Sequence, residues 1–361
     1  MNDVYFYLKN LDTIDTSIPD FLSRFDIYAK ALQHESRSDA QLTILTSSFI
    51  DPTLLPPTLQ YRHLERSFLK RLRQLSTIIK SSSKKKVLVA GNNYGALSFC
   101  LALRAAHNNV RVQASLHGRV DLIMQINSIK GMARSFLLRT LLPKVDSLRL
   151  VDRSEIETVS QRFRLDKSKI FVAPVPIKVP SEVSNFRKVR DKQIAFVGRV
   201  HPERGIQEWT EIALKLAKRD AATNFLVIGD GPSISIMKNG LKELGNRAQF
   251  RGRLNQERLE EVWGEIGVLL SSAPSESYGL AAREALLRGV PVVARLNPTY
   301  ESLAKVAPNI LQTYTDPESA IQFILELLAA PLKQKHFELF RDLFIQDQEH
   351  TLSDLARSWI T

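Results

Sequence analysis

Residues 271–294, from Ser271 to Ala294, read SSAPSESYGLAAREALLRGVPVVA. Val268 to Ser272 is a short apolar run and predicts a buried strand. Pro274, Ser275 and Gly279 mark a loop. Leu280 to Arg288 is built from Leu, Ala, Glu and Arg, all good helix formers, and Gly289 ends it. Val290 to Ala294 is a second strand, rich in β-branched residues. Strand, loop, helix, strand is the repeating unit of a parallel sheet. The loop of such a unit lies at the carboxyl edge, where open α/β sheets bind ligands. That loop carries Glu276, and the first turns of the helix behind it carry Glu284, eight positions on.

The alternation continues on both sides. Ile194–Val197, Phe225–Ile228 and Ala248–Arg251 read as strands, with helical patterns at Gln207–Lys218 and Gln256–Glu265 between strands. A further helix is expected at Asp316–Leu328, and the charged tail Leu332–Ile360 also reads as helical. This order predicts a parallel sheet covered on both faces. The first of these strands runs into Gly198-Arg199, and Arg204-Gly205 follows. Glycine lets a ligand approach the backbone, and arginine presents a fixed fork of donors that suits phosphate oxygens. Gly229-Asp230-Gly231-Pro232 closes the second strand, and Arg251-Gly252-Arg253 closes the third.

In the first half, Val4–Leu8, Gln41–Thr46, Val87–Ala90, Val110–Leu116, Ser147–Val151 and Ile170–Ala173 read as strands. Helices are expected at Phe21–Leu32 and Ser154–Phe163, and a polar loop at Asp12–Asp20. Gly91-Asn92-Asn93-Tyr94-Gly95 reads as a tight strand-to-helix turn, because its spacing is not that of a dinucleotide fingerprint. The strand Val110–Leu116 ends in His117-Gly118, again where an open sheet places ligands. Arg119–Lys144 is both basic and apolar and predicts helices. Pro174, Pro176 and Pro180 cannot sit in a central strand or helix. With the polar run Ser181–Lys192 they mark a domain boundary. The expected domains are residues 1–180 and 181–335, with a final helix over 336–361.

The chain has 361 residues, 44% hydrophobic and 24% charged, which suits a soluble protein of two domains. Its one cysteine, Cys100, permits neither an intrachain disulfide nor a cysteine-based metal site and fits a reducing compartment. The opening MNDVYFYLKN lacks the basic start and apolar core of a signal peptide, and no apolar run approaches the roughly 20 residues of a membrane span. There is no Asp-x-Asp triplet and no His-Glu-x-x-His, so no metal is expected. The net charge of +12 predicts a polyanionic partner: phosphorylated ligands, an anionic membrane surface or nucleic acid. No nucleic-acid motif accompanies it. Tyr61–Lys86 holds nine basic residues against Glu65 alone. Within that segment, Leu64, Phe68, Leu72, Leu75 and Ile79 give Tyr61–Ile79 the period of an amphipathic helix. Two readings stand: a helix docked on the core with solvated charges, or a basic amphipathic helix facing an anionic membrane.

The Glu276–Glu284 pair, with Tyr278-Gly279 between and Gly289-Val290-Pro291-Val292-Val293 after, resembles retaining glycosyltransferases of the GT-B fold, family 4. The likeness is strong over Ile194–Leu328 and weak in the first half. It implies an α/β architecture of two Rossmann-like, doubly wound domains facing across a cleft, with the last helix crossing back to the first domain. The implied reaction moves a sugar, with retention, from a nucleoside diphosphate sugar to a glycan or lipid-linked acceptor. Cell-envelope polysaccharide or glycolipid synthesis is the implied setting, in the cytoplasm or at the inner face of the membrane. Glu276 would contact the donor sugar, Glu284 the ribose, and Arg199 and Arg204 the diphosphate. His117 would face the donor sugar. Gly198, Gly229, Gly231, Arg253, Gly279 and Leu280 would line the nucleotide. The nucleotide sugar is a co-substrate, and no cofactor or metal is implied. Two features depart from the family pattern. No glycine precedes Gly91, so the usual Gly-Gly pair after the first strand is absent, and Glu203-Arg204-Gly205 stands where Glu-Lys-Gly is usual. The rival expectation is a catalytically silent nucleotide-sugar-binding subunit that supports a partner enzyme.

Overall fold

The computed structural model describes residues 3–8, 11, 17–37, 39–81, 84–91, 94–117, 129–183, 186, 191–329 and 332–360. Much of the expected 12–20 loop, the Asn92-Asn93 turn, Gly118, the start of the basic 119–144 segment and most of 184–190 lie outside the described residues. The chain forms two compact units, Met1–Pro176 with Asp347–Thr361, and Ile177–Gln346.

The first unit is built on seven parallel strands among the described residues: β1 Asp3–Leu8, β2 Leu42–Thr46, β3 Leu59–His63, β4 Lys86–Ala90, β5 Val110–Leu116, β6 Ser147–Leu150 and β7 Ile170–Val172. Their order is β3-β2-β1-β4-β5-β6-β7. β2 and β4 are buried at every residue, as a sheet covered on both faces demands. Helices Phe68–Lys80, Tyr94–Ala106, Ile129–Leu141 and Ile156–Phe163 pack on one face. Helix Ile18–Glu35 and the end of helix Gln334–Ile360 pack on the other, through Phe21, Phe25, Tyr28, Leu355 and Trp359. Ser17 starts the helix at Ile18, its hydroxyl accepting the Asp20 amide at 3.3 Å.

The expected single helix over Tyr61–Ile79 is corrected. Tyr61, Arg62 and His63 lie in β3 and pair in register with Ile44, Leu45 and Thr46 of β2. The ladder satisfies backbone groups that a helix begun at Tyr61 would have taken from β2. The helix begins only at Phe68. Leu64 is buried in the connection, its amide donating to the Thr46 carbonyl at 2.8 Å. Phe68, expected on the buried stripe, is 61% exposed. The basic patch shrinks as well. Arg71 is buried and donates to the Tyr7 hydroxyl at 2.9 Å and to the Glu65 and Arg66 carbonyls at 3.0 and 2.7 Å. Lys86 is buried in β4, with Nζ 3.0 Å from the Lys84 carbonyl oxygen. Both charges are structural.

The second unit carries β8 Gln193–Val197, β9 Asn224–Ile228, β10 Ala248–Gly252, β11 Val268–Ser271, β12 Val292–Arg295 and β13 Leu311–Tyr314. The order is β10-β9-β8-β11-β12-β13, and every described pairing is parallel. Trp209, Ile212 and Leu216 of helix Ile206–Arg219 join Ile321 and Ile324 of helix Pro317–Ala329 on one face. Trp263, Leu286, Leu287, Tyr300 and Phe337 fill the other. Among the described residues, no helix is long and apolar enough to cross a membrane.

The C-terminal segment closes the first unit through Trp359, which is fully buried and donates from Nε1 to Gln113 Oε1 at 2.8 Å. Gln113 Nε2 in turn donates to Ser147 and Ser358 hydroxyls at 3.0 and 3.1 Å. Trp359→Ala should therefore cost about 3–5 kcal/mol, the usual range for emptying a tryptophan site. Urea denaturation followed by far-UV circular dichroism measures this. An unshifted first transition would show that the tail does not hold this face.

Candidate functional site

The second sheet reverses direction at β8. The chain steps outward through β9 to β10, then returns to the far side of β8 with β11 and proceeds to β13. Loops leaving β8 and β11 therefore part at the carboxyl edge, and the crevice between them is where such sheets take ligands. The β8 loop carries Arg204 and the β11 loop carries Glu276. The two meet there as an ion pair, Arg204 Nη1 on Glu276 Oε2. Glu276 is 8% exposed, and its other oxygen accepts the Ser277 amide at 2.9 Å. Burial works against the Arg204 charge. Glu276, Tyr300 and Glu203 outweigh it, and its pKa is raised. The guanidinium stays cationic at a mouth it only partly fills, since its side chain remains 34% exposed.

Both loops are fixed through their backbones. Gly205 sits at φ 66°, and a Cβ there would lie 2.0 Å from the Ser272 carbonyl oxygen. No other residue fits that approach without moving backbone. The Ser272 hydroxyl lies 2.9 Å from the Arg204 carbonyl oxygen and 3.0 Å from that of Gly205, as donor to both. On the other side, the Thr299 hydroxyl donates to the Glu276 carbonyl at 2.7 Å. Asn297 caps helix Pro298–Val306, its Oδ1 accepting the Tyr300 amide at 3.1 Å while Nδ2 donates to the Ala273 carbonyl at 3.1 Å. The buried Tyr300 hydroxyl shares a 2.8 Å hydrogen bond with Ser271. Burial first, and then the Glu276 carboxylate, push its pKa up. Asn297, Thr299 and Tyr300 were not among the expected site residues. Asn297-Pro298 is a readable helix start, since asparagine favours the cap and proline the first turn. Nothing in it announces that the cap would hold the glutamate loop.

The other expected residues fall into three groups. Gly198 and Gly229 end neighbouring strands and pack back to back: a Cβ on Gly229 would sit 1.8 Å from the Gly198 carbonyl oxygen. Protein packing alone thus requires glycine at 229. Gly231 turns beside Val200 in the same layer. Arg199 is exposed and leans on Glu203 at 3.7 Å, while Arg253 is exposed beyond β10, at the outer edge of the sheet. Gly279 and Leu280 open helix Leu280–Leu287, and Glu284 is buried in its second turn. Arg288 holds that helix end. Its Nη1 donates to the Glu284 carbonyl at 3.1 Å, and its Nε is 2.8 Å from each Glu260 oxygen.

His117 belongs to the first unit, just past the end of β5, with Nε2 3.1 Å from the Ser115 hydroxyl. The ring keeps surface open at the strand end, yet the protein crowded around it disfavours a second proton, and the Arg149 guanidinium adds to that. Its pKa is pushed down to about 3. Arg149 is itself buried and bound to Tyr28 and to the Ala173 and Pro174 carbonyls. Among the described residues, no three His, Cys, Asp or Glu side chains are grouped to hold a metal ion.

Residues 181–338 match the family Glycosyl transferases group 1. The 2-deoxystreptamine glucosyltransferase of Streptomyces kanamyceticus is 34% identical over 121 residues, 33% of this chain and 31% of that protein. The D-inositol 3-phosphate glycosyltransferase of Corynebacterium efficiens is 28% identical over 182 residues, 45% of this chain and 43% of that protein. The chain thus spans less than half the length of these relatives. Among solved structures, a mutant of TarM from S. aureus, in complex with fondaparinux, alpha-GlcNAc-glycerol and UDP, superposes with a TM-score of 0.76. It covers 100% of both chains at 10% identity, which is a likeness of fold. The protein accordingly has the GT-B fold of two Rossmann-like sheets, and its residues 181–338 match the glycosyl transferases group 1 family.

Proposed function

We propose that the protein is a retaining glycosyltransferase of family 4. Its donor is a nucleoside diphosphate sugar, and its acceptor is a glycan or a lipid-linked molecule of cell-envelope polysaccharide or glycolipid synthesis. The observation that supports this best is the Arg204–Glu276 pair at the switch point of the domain matched to group 1 transferases. In this reading the donor diphosphate takes Arg204 from Glu276, and the carboxylate turns to the sugar. Arg204, with Arg199, meets the charge that develops on the leaving diphosphate. Glu284 accepts from the ribose hydroxyls, and Gly198, Gly229, Gly231, Arg253, Gly279 and Leu280 shape the nucleotide side. His117, neutral at pH 7, offers a hydrogen bond to the donor sugar. No metal is assigned a role. We further propose that the protein works on the cytoplasmic side of a membrane, as a peripheral protein.

The first test is ligand binding and turnover. A UDP-sugar should raise the thermal midpoint by mass action, and donor consumption should follow when acceptor is supplied. UDP is the natural starting nucleotide because the TarM mutant structure contains it. Binding of nucleotide sugars without turnover, across acceptors, would favour the silent-subunit reading.

Arg204→Ala should lower kcat/KM by roughly two orders of magnitude, the usual loss for a donor aimed at developing charge, about 3 kcal/mol. Arg204→Lys should recover much of it. The two glutamates should separate. Glu276→Gln should depress kcat and leave affinity for the free nucleoside diphosphate nearly unchanged. Glu284→Gln should weaken that affinity by roughly 1.5–3 kcal/mol, as hydrogen bonds to a charged acceptor are lost. Calorimetric titration beside initial rates decides this, and wild-type nucleotide binding by Glu284→Gln would refute its role. Thr299→Val should copy the kcat loss of Glu276→Gln in milder form, with Thr299→Ser restoring it.

For His117 the folded pKa lies below the unfolded value near 6.5. The stability linked to it is present above pH 6.5 and is lost as pH falls toward about 3. His117→Gln should therefore flatten the fall in thermal midpoint between pH 6.5 and 4. An unchanged slope would mean that His117 titrates normally.

A further inference from the structure

Three helices lie side by side on one face of the first sheet: Phe68–Lys80, Tyr94–Ala106 and Ile129–Leu141. Their sequences contain eight Lys or Arg and no Asp or Glu. The inner residues pack as expected, through Leu75, Ile79, Leu97, Phe99, Leu103 and Leu138. The outer residues do not follow the usual rule. Phe68 and Leu69 are 61% and 66% exposed, and Met132 and Phe136 are 57% and 68% exposed. Leu137 is exposed beside them. Phe68 meets Phe99 of the middle helix edge-on, with ring centroids 5.5 Å apart, and the middle helix also touches Ile129–Leu141. Among the described side chains of that middle helix, Ser98, Ala102 and Ala105 are exposed and small, and the partly exposed Arg104 turns to Asp146 at 3.3 Å. The large apolar side chains on its two flanks therefore stand above the surface. Exposed Arg66, Lys70, Arg73 and Arg139 surround them.

Single exposed leucines need no explanation, but several large apolar side chains exposed on the two outer helices of one layer do. The occupant is chosen by charge. The three helices themselves carry no carboxylate to repel an anion. Asp146, held by Arg104 at 3.3 Å, and Glu65 beside Arg66 lie at the border and leave Lys70, Arg73 and Arg139 in excess. Cationic side chains around protruding apolar tips match a bilayer interface, where phosphates lie above acyl chains. We infer that this face docks on an anionic phospholipid bilayer, with Phe68, Leu69, Met132, Phe136 and Leu137 entering the interface. Arg71 and Lys86 take no part, because both are buried. The inference rests on the peripheral-membrane part of the reading above and not on sugar transfer.

The test is co-sedimentation of the full chain with vesicles of phosphatidylcholine and phosphatidylglycerol at 7:3, against phosphatidylcholine alone. The anionic vesicles should bind at least about tenfold more protein at low salt. Leu69→Ser with Phe136→Ser should weaken partition about tenfold at low and high salt alike, since the lost contacts are apolar. Lys70→Glu with Arg73→Glu should weaken it similarly at low salt, and the difference should vanish near 1 M salt. Wild-type thermal midpoints certify folding, and Phe136→Ala alone replaces the double variant if that one misfolds. Equal binding to neutral vesicles, or unchanged partition of the Leu69 and Phe136 variants, overturns the inference. So does self-association lost in those variants without any vesicle binding, which would give the face to a second protein. Turnover of a UDP-sugar onto a soluble acceptor should be unaffected by Leu69→Ser and Phe136→Ser. Failure of that turnover in wild type sinks the transfer reading and leaves the vesicle result standing.

Discussion

The Arg204–Glu276 ion pair spans the switch point of the second sheet, and the surrounding backbone is arranged to permit it. A carboxylate that is 8% exposed is costly unless it is paired and hydrogen-bonded. Here the pairing comes from a loop 72 residues away in sequence, so the two halves of the crevice are tied by charge as well as by sheet register. The same pairing makes the site responsive. In the proposed reading, an anion entering the crevice competes with Glu276 for one guanidinium, so each anion is affected by the other. Removing either side chain alone leaves the other charge without its counterion, which is why single substitutions report more than the worth of the contact.

That competition is confined to side chains because the loops themselves are held. Ser272 binds the Arg204 and Gly205 carbonyls, and Thr299 binds the Glu276 carbonyl. The Asn297 cap ties the start of helix Pro298–Val306 to Ala273, and the Tyr300 hydroxyl ties it to Ser271. The cap thus satisfies groups on the glutamate loop while it ends a strand-to-helix turn. A residue chosen for helix initiation acquires a positioning role through where the helix begins.

What could be read from the chain follows from burial. Strands β8, β9 and β11 are legible because each is a continuous apolar run between glycine-bearing loops. β13, Leu311–Tyr314, is not, because it is an edge strand with half-exposed Gln312 and Thr313 and no apolar run. β3 is lost for the opposite reason: Leu64, Phe68 and Leu72 supply a helical period that extends backward over residues whose partner, β2, lies elsewhere in sequence. Arg199, Arg204, Glu276 and Glu284 are visible as types of residue at strand-end loops. Which two of them pair is set by strand order, and strand order is a non-local fact. The buried roles of Arg71 and Arg149 are invisible for the same reason, since each is defined by carbonyls and tyrosines brought in from other elements.

Net charge illustrates how little a sum conveys without placement. The +12 of the chain includes Arg149 and Arg288, both buried and fully engaged. It includes Arg251, bidentate on Glu265, and Arg219, paired with Glu318. Such residues serve the fold and would be silent in any long-range attraction. The cations that remain effective are those without a carboxylate partner, and the helices of the three-helix layer of the first unit carry eight Lys or Arg and no Asp or Glu, with Arg104 turned to Asp146. Screening makes the distinction physical. At about 8–10 Å of Debye length, an exposed cation acts on what lies within its own patch, so a local excess matters where a global one does not. The basic character of this protein is therefore two separate properties: a few paired arginines that fix loops and helices, and one face whose helices carry cations and no carboxylate of their own.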